Sequence, residues 1–177
     1  MQRRQFLSTG IGALLAALFF PGRRPAAEAF AMTPEPAHEI APLKKSKADW
    51  KALLAPEAYA VLFEEATERA FTSPLNAEKR AGTFLCAACF LPLFGSDAKF
   101  DSGTGWPSFF RPLEGHIGTR RDFKLLLPRT EYHCLRCGGH QGHVFNDGPP
   151  PTGQRYCNNG VALQFVPQGQ PLPALRT

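Results

Sequence analysis

Two pairs of cysteines, each with a two-residue gap, constrain the fold of this chain more than any other feature. Cys86 and Cys89 form the first pair, and Cys134 and Cys137 form the second. A CxxC pair can direct both thiolates at one ion at about 2.3 Å, and two such pairs complete the tetrahedron that Zn²⁺ prefers. We therefore expect one structural zinc ion that holds two distant segments of a single domain together.

Spacing alone leaves other uses of these cysteines open. Disulfide bonds would suit an oxidising compartment, and a thioredoxin-like redox pair has the same CxxC spacing. No strand–helix–strand pattern surrounds either pair, however, and the usual spacing of iron–sulfur ligands is missing. Zinc remains the expected metal, although residues 90–133 make the interval between the pairs longer than in most zinc ribbons.

Composition favours one turn-rich domain with an N-terminal extension. The chain has 177 residues, among them 16 Gly and 17 Pro, which favours short strands and turns over a helical bundle. Its net charge is +5, but the first 31 residues, with four Arg and one Glu, carry +3 of that charge. The remainder shows no basic patch of the kind that binds nucleic acid.

Residues 1–31 have the features of an export signal. Arg3 and Arg4 precede an apolar run over 11–20 and an Ala-x-Ala cleavage candidate at 29–31. The run is shorter than the about 20 residues that a membrane span needs, and paired arginines are typical of twin-arginine signals. We expect a periplasmic rather than cytoplasmic protein that contacts the membrane only through this signal. A general secretory signal and an uncleaved anchor stay open.

The Pro-rich stretch over 32–46 is expected to be a flexible linker. The folded domain is expected to span 47–170, followed by a tail over 171–177. Asp49 is placed to cap a short helix over 50–54, and Pro56 suits the first turn of a second helix. Apolar residues at helical spacing predict one buried face for the second helix: Tyr59, Leu62, Phe63, Ala66 and Ala70.

Short apolar runs broken by Gly and Pro follow the helices and predict strands of antiparallel sheets. They lie over 83–85, 123–127, 130–133, 143–145 and 161–166.

Cys157 stands apart from the two pairs. A lone cysteine is commonly a small buried apolar residue, but here Arg155 precedes it and two asparagines follow it. A cationic neighbour lowers the pKa of a thiol and raises its thiolate fraction. His140 and His143 could supply a proton donor, and a cysteine with a nearby histidine is the minimum for nucleophilic chemistry.

Several motifs occur together around this cysteine: DSGTGWPSF over 101–109, HVF over 143–145, DGP over 147–149, PTG over 151–153 and RYC over 155–157. With the two CxxC pairs, they resemble the B-type methionine sulfoxide reductases over about 50–166. The resemblance implies a mainly β fold with two small antiparallel β-sheets, N-terminal helices and a structural four-cysteine zinc site. It also implies reduction of the R epimer of methionine sulfoxide, free or in proteins, as a repair of oxidised methionine.

The resemblance assigns roles to individual residues. Cys157 becomes the nucleophile, left as a sulfenic acid, and His143 the proton donor to the sulfoxide oxygen, a role that typically contributes about 10²- to 10⁴-fold. The ring of Trp106 receives the S-methyl group, because a polarisable apolar group packs well on an aromatic face. The remaining assignments are supporting roles for His140 and Asn159 and substrate contacts for Phe109 and Arg155.

Three positions depart from the family pattern. Thr104 stands where many members have a cysteine that resolves the sulfenic acid by forming a disulfide. We therefore expect an external small thiol or a thioredoxin-like partner to do so. Gly160 stands where serine is commoner, and Asn158 where an apolar residue is usual. The alternative to an enzyme is a zinc-stabilised interaction module in which Cys157 is inert.

Overall fold

Two antiparallel sheets preceded by two short helices make up the part of the chain that the structure describes. This structure is a computed structural model that describes residues 40–124 and 127–177. It confirms the expected mainly β fold with two antiparallel sheets. The expected signal over 1–31 and most of the expected linker lie outside the described residues. None of the described helices is both long and apolar enough to cross a membrane.

The sheets have three and six strands. Helices α1 and α2 span Lys47–Leu53 and Pro56–Glu64. The strands are β1 (Gly82–Cys86), β2 (Pro92–Gly95), β3 (Lys99–Phe100), β4 (Ser108–Phe109), β5 (Ile117–Asp122), β6 (Arg129–Cys134), β7 (His140–Phe145), β8 (Arg155–Asn158) and β9 (Leu163–Pro167). The small sheet has the order β2-β1-β9, and the large sheet has the order β3-β4-β8-β7-β6-β5.

Helix α1 begins three residues earlier than predicted. Ser46, not Asp49, is the N-cap: its hydroxyl accepts a hydrogen bond from the Asp49 N–H at 3.1 Å. The Asp49 carboxylate in turn accepts from the Ser46 N–H at 3.3 Å, which completes a capping box. The helix buries Trp50, whose ring stacks on Phe63 of α2 at 5.3 Å.

Helix α2 ends sooner than the apolar pattern predicts. Glu65 adopts a left-handed backbone with φ 56°, so Ala66 and Ala70 lie beyond the helix rather than on its buried face. Tertiary hydrogen bonds fix the path of the chain after the helix. The N–H of Glu68 donates to the Asn159 side chain at 3.0 Å, and its carbonyl accepts from the Trp106 indole N–H at 2.9 Å.

Four of the predicted strand regions overlap β1, β6, β7 and β9, although residues 161–162 form a 3₁₀ turn before β9, and the fifth prediction is wrong. Over 123–127 the described residues form no strand, residues 125–126 lie outside the description, and Phe123 and Leu127 are 72% and 76% exposed. The strand β5 instead ends at Asp122 and pairs with β6. Its sequence, IGTRRD, has one large apolar residue, so hydrophobic periodicity did not reveal it.

An aromatic core joins the two sheets. Phe94 of the small sheet stacks on Phe109 of the large sheet with ring centroids 4.2 Å apart, and Phe84 meets Phe109 edge-on at 4.9 Å. Tyr132 is also fully buried and contacts the Phe94 ring. This core fixes β4 and β6 beside the strands that carry the site.

The chain segments on either side of the domain lie against it. The Leu43 N–H donates to the Arg136 carbonyl at 2.6 Å, and Ile40 and Leu43 pack on the core. The Arg176 N–H in the tail donates to the Cys89 carbonyl at 3.1 Å.

Candidate active site

The four cysteines of the CxxC pairs meet in one cluster. Their sulfur atoms all lie within 4.8 Å of one another, with 3.6 Å between Cys86 and Cys137 and 3.5 Å between Cys89 and Cys134. A tetrahedron with Zn–S bonds of about 2.3 Å has edges of about 3.8 Å, whereas a disulfide needs about 2.05 Å. The cluster therefore fits a tetrahedral metal ion such as Zn²⁺, and all four cysteines are free of disulfides.

Each CxxC pair is formed by the end of a strand and the turn that follows it. Cys86 and Cys134 end strands β1 and β6, and a tight turn carries each chain to the second cysteine. Phe90 and Gly138, just after the turns, adopt positive φ of 62° and 72°. Since β1 and β6 belong to different sheets, an ion in this cluster would hold the two sheets together.

Cys157 lies elsewhere, on β8 of the large sheet. It is directly opposite His143 of β7 in the strand register, and both side chains line one pocket of about 120 Å³. That pocket is smaller than the about 300–1,000 Å³ typical of small-molecule sites, so it suits one side chain. Its lining residues are Thr67, Trp106, Arg129, Gly142, His143, Phe145, Cys157, Asn158 and Asn159.

Hydrogen bonds fix the polar walls of the pocket. The hydrogen bond from the indole N–H of Trp106 to the Glu68 carbonyl fixes one edge of the partly exposed ring. The side-chain amide of Asn159 donates to the Gln141 carbonyl at 3.0 Å while its oxygen accepts from the Glu68 N–H. Both predicted residues, Trp106 and Asn159, thus lie beside Cys157.

The two histidines have different surroundings. The Nε2 atom of His143 lies 2.7 Å from the Asp122 carboxylate, which also accepts from Arg129 at 2.6 Å. Burial lowers the pKa of His143, and the Asp122 carboxylate opposes that shift. His140 is buried, with Nδ1 2.8 Å from Glu131, and it does not line the pocket.

The Cys157 thiol is half-buried, and burial raises its pKa. Arg155 and the Thr104 hydroxyl act in the opposite direction, so the cationic neighbour expected to activate the thiol only reduces the effect of burial. The Arg155 charge is shared: its guanidinium donates twice to Asp147 at 2.9 Å and lies 4.3 Å from the centre of the Phe145 ring.

Phe109 does not have its predicted place in the pocket. Its side chain is fully buried and packs between Phe84 and Phe94 in the core, which makes it a structural residue. Arg155 is also absent from the pocket lining, although its neighbour in the stack, Phe145, is present.

Further residues lie at the pocket that the sequence motifs do not indicate. Asp122 and Arg129 face each other at the open end of the β5–β6 pair, and Thr67 and Glu68 come from the segment after α2. For Asp122 and Arg129, the only signal in the sequence is that two residues of opposite charge stand on either side of the apolar run over 123–127.

The departures from the family pattern have structural partners. Asn158 is fully buried, and its side-chain oxygen accepts from the Tyr132 hydroxyl at 2.6 Å, so a buried polar pair occupies that position. A Cβ at Gly160 would lie 1.8 Å from the Ser73 hydroxyl, which leaves room for glycine alone in this arrangement.

Fold and site together define a mainly β protein with a metal-compatible four-cysteine cluster and a separate pocket in which Cys157 lies opposite His143. The SelR domain matches residues 54–167 of the chain. A protein of Agrobacterium fabrum, "Peptide methionine sulfoxide reductase MsrB", is 52% identical over 126 residues, which cover 71% of this chain and 93% of the relative. A Methanosarcina mazei protein with the same name is 50% identical over 125 residues, 70% of this chain and 89% of the relative. The chain belongs to the MsrB family of peptide methionine sulfoxide reductases.

Proposed function

We propose that this protein reduces the R epimer of methionine sulfoxide to methionine with Cys157 as the nucleophile. The observation that carries the proposal is the pairing of Cys157 with His143 across β8 and β7, in one pocket with the Trp106 ring. Family membership supports the reaction class. The pocket supports a substrate with one apolar methyl and one oxygen that needs a proton.

The first step transfers an oxygen atom. The Cys157 thiolate attacks the sulfoxide sulfur while His143 gives a proton to the sulfoxide oxygen, which then passes to the cysteine sulfur as an S–OH group. The sulfoxide sulfur gains two electrons and leaves as the thioether, and the cysteine sulfur loses two and becomes a sulfenic acid. Trp106 would hold the S-methyl group on its face.

The second step needs reductant from outside the chain. Of the five cysteines, four belong to the metal-compatible cluster, and Thr104 takes the place beside Cys157 that a resolving thiol would need. An external thiol therefore attacks the sulfenic acid, releases water and forms a mixed disulfide. A second thiol then releases Cys157 as the reduced thiol, and the external pair leaves as a disulfide.

A zinc ion in the four-cysteine cluster would contribute folding free energy and no reaction step, because four thiolates close the coordination sphere. The cluster residues are absent from the catalytic pocket lining.

We also propose that the protein is exported and repairs oxidised methionine in periplasmic proteins. The support lies in the sequence alone: Arg3, Arg4 and the apolar run over 11–20. Fractionation of cells that produce the full chain tests this. An Arg3→Lys, Arg4→Lys chain should stay in the cytoplasm, and equal periplasmic amounts of both chains would contradict a twin-arginine route.

The reaction is tested by supplying the separate R and S epimers with dithiothreitol as the reductant. Turnover of the R epimer alone, abolished by Cys157→Ser, is expected. Turnover of the S epimer, or undiminished turnover by the variant, would refute the assignment.

A further inference from the structure

A groove lies next to the pocket that contains Cys157. It has a volume of about 580 Å³ and shares Thr67 with the pocket. This volume is within the about 300–1,000 Å³ of sites that bury a bound molecule. Its apolar lining comes from α2, the segment after it and one residue near β9: Ala60, Val61, Ala66, Pro74 and Val161.

The groove has an exposed backbone edge at its junction with the pocket. Residues 66–69 belong to no helix or strand, and both backbone groups of Glu68 bond inward, to Asn159 and Trp106. The adjacent Thr67 is exposed, and its N–H donates to no other group among the described residues.

The groove lining holds two carboxylates and one guanidinium, so its charges cancel only in part. Glu57 and Arg69 carry opposite charges, and the Glu68 carboxylate accepts from the Gly160 N–H at 2.5 Å. The groove therefore suits apolar side chains better than charged ones.

We propose that this groove binds the polypeptide on one side of the methionine sulfoxide, in an extended conformation. The substrate backbone pairs with Thr67 as an added strand, and the sulfoxide side chain enters the pocket. This inference rests on the proposed function. Because its lining is largely apolar, the groove favours apolar residues beside the sulfoxide on that side.

Peptide length tests this in the wild-type protein. The substrates are N-acetyl-methionine-R-sulfoxide methylamide and peptides that extend it on one side by about four residues, ~13 Å at ~3.3 Å per residue. Extension with alanine and valine on one side should lower KM by about tenfold, or ~1.4 kcal/mol, and extension on the other side should not. Equal KM values for all three substrates would overturn the proposal.

A groove-filling variant tests the location. Ala60→Trp should abolish the gain from extension and leave kcat/KM for the single-residue substrate unchanged, which also shows that the variant is folded. Ala52→Trp, on the exposed face of α1, should keep the gain. A gain that persists in Ala60→Trp, or an effect confined to the KM for the thiol reductant, would overturn the proposal. Absence of turnover of the single-residue substrate in the wild type would instead refute the proposed function.

Discussion

The pair of Asp122 and His143 allows a prediction about pH dependence. The reaction needs His143 protonated and Cys157 ionised, but burial lowers the pKa of the histidine and raises that of the thiol. Between the two pKa values, one group gains its required form as pH changes while the other loses it by the same factor. The profile of kcat/KM should therefore be flat between them and fall on both sides.

Asp122→Asn should lower this plateau. The Asp122 carboxylate stabilises the charged form of His143 through a hydrogen bond of 2.7 Å. A hydrogen bond to a charged group contributes about 1.5–3 kcal/mol, whereas one between neutral groups contributes about 0.5–1.5 kcal/mol. The difference of about 1–1.5 kcal/mol lowers the pKa of His143 further and reduces the reactive fraction about five- to thirteenfold. At pH below both pKa values, His143 is protonated in either protein, so the two rates should converge.

The assay is kcat/KM for the R-sulfoxide between about pH 4 and 10, which spans the ordinary pKa values of histidine and cysteine. Asp97→Asn is the matched control, because it makes the same change in an exposed ion pair with Arg111 and should leave the profile unchanged. A loss of equal size at every pH, or no loss on the plateau, would show that Asp122 does not act through the protonation of His143.

Three further predictions concern Thr104, the aromatic core and the four-cysteine cluster. Thr104→Cys should give an intramolecular disulfide with Cys157 after one turnover, seen by non-reducing mass spectrometry; a Thr104→Ser chain serves as control, and a free introduced thiol would contradict the placement. Phe109→Ala should lower the free energy of unfolding by about 3–5 kcal/mol in urea titrations, whereas the exposed Phe123→Ala should change it by less than about 0.5 kcal/mol; equal effects would refute the core role of Phe109. Removal of metal by a strong chelator should lower the unfolding temperature, and Cys89→Ser should abolish that difference; a purified chain without bound metal would contradict the zinc assignment.

The sequence predicted those parts of the site whose spacing is local. A two-residue gap places both thiolates of a CxxC pair on one side of a turn, so the metal-compatible cluster followed from the pattern. Trp106 and Cys157 belong to specific motifs and lie together in the pocket. Phe109 belongs to the same motif as Trp106, but a strand of two residues gives no periodicity that distinguishes its core face from its pocket face.

The remaining parts depend on contacts between distant segments. Asp122 reaches His143 only because β5 and β7 both flank β6, and β5 lacks the apolar alternation that marks a strand. The apolar pattern predicts that Glu68 lies in a helix, but the left-handed backbone of Glu65 ends that helix. Glu68 then bonds to Trp106 and Asn159. Tertiary hydrogen bonds overrode helix propensity there, and local pattern does not report such bonds.

The most direct test of the proposed reaction is a single turnover without reductant, followed by mass spectrometry of the intact and digested protein. We expect one methionine per chain and one added oxygen atom on Cys157, with all other cysteines unchanged. An intramolecular disulfide that includes Cys157, or methionine formed by Cys157→Ser, would contradict it.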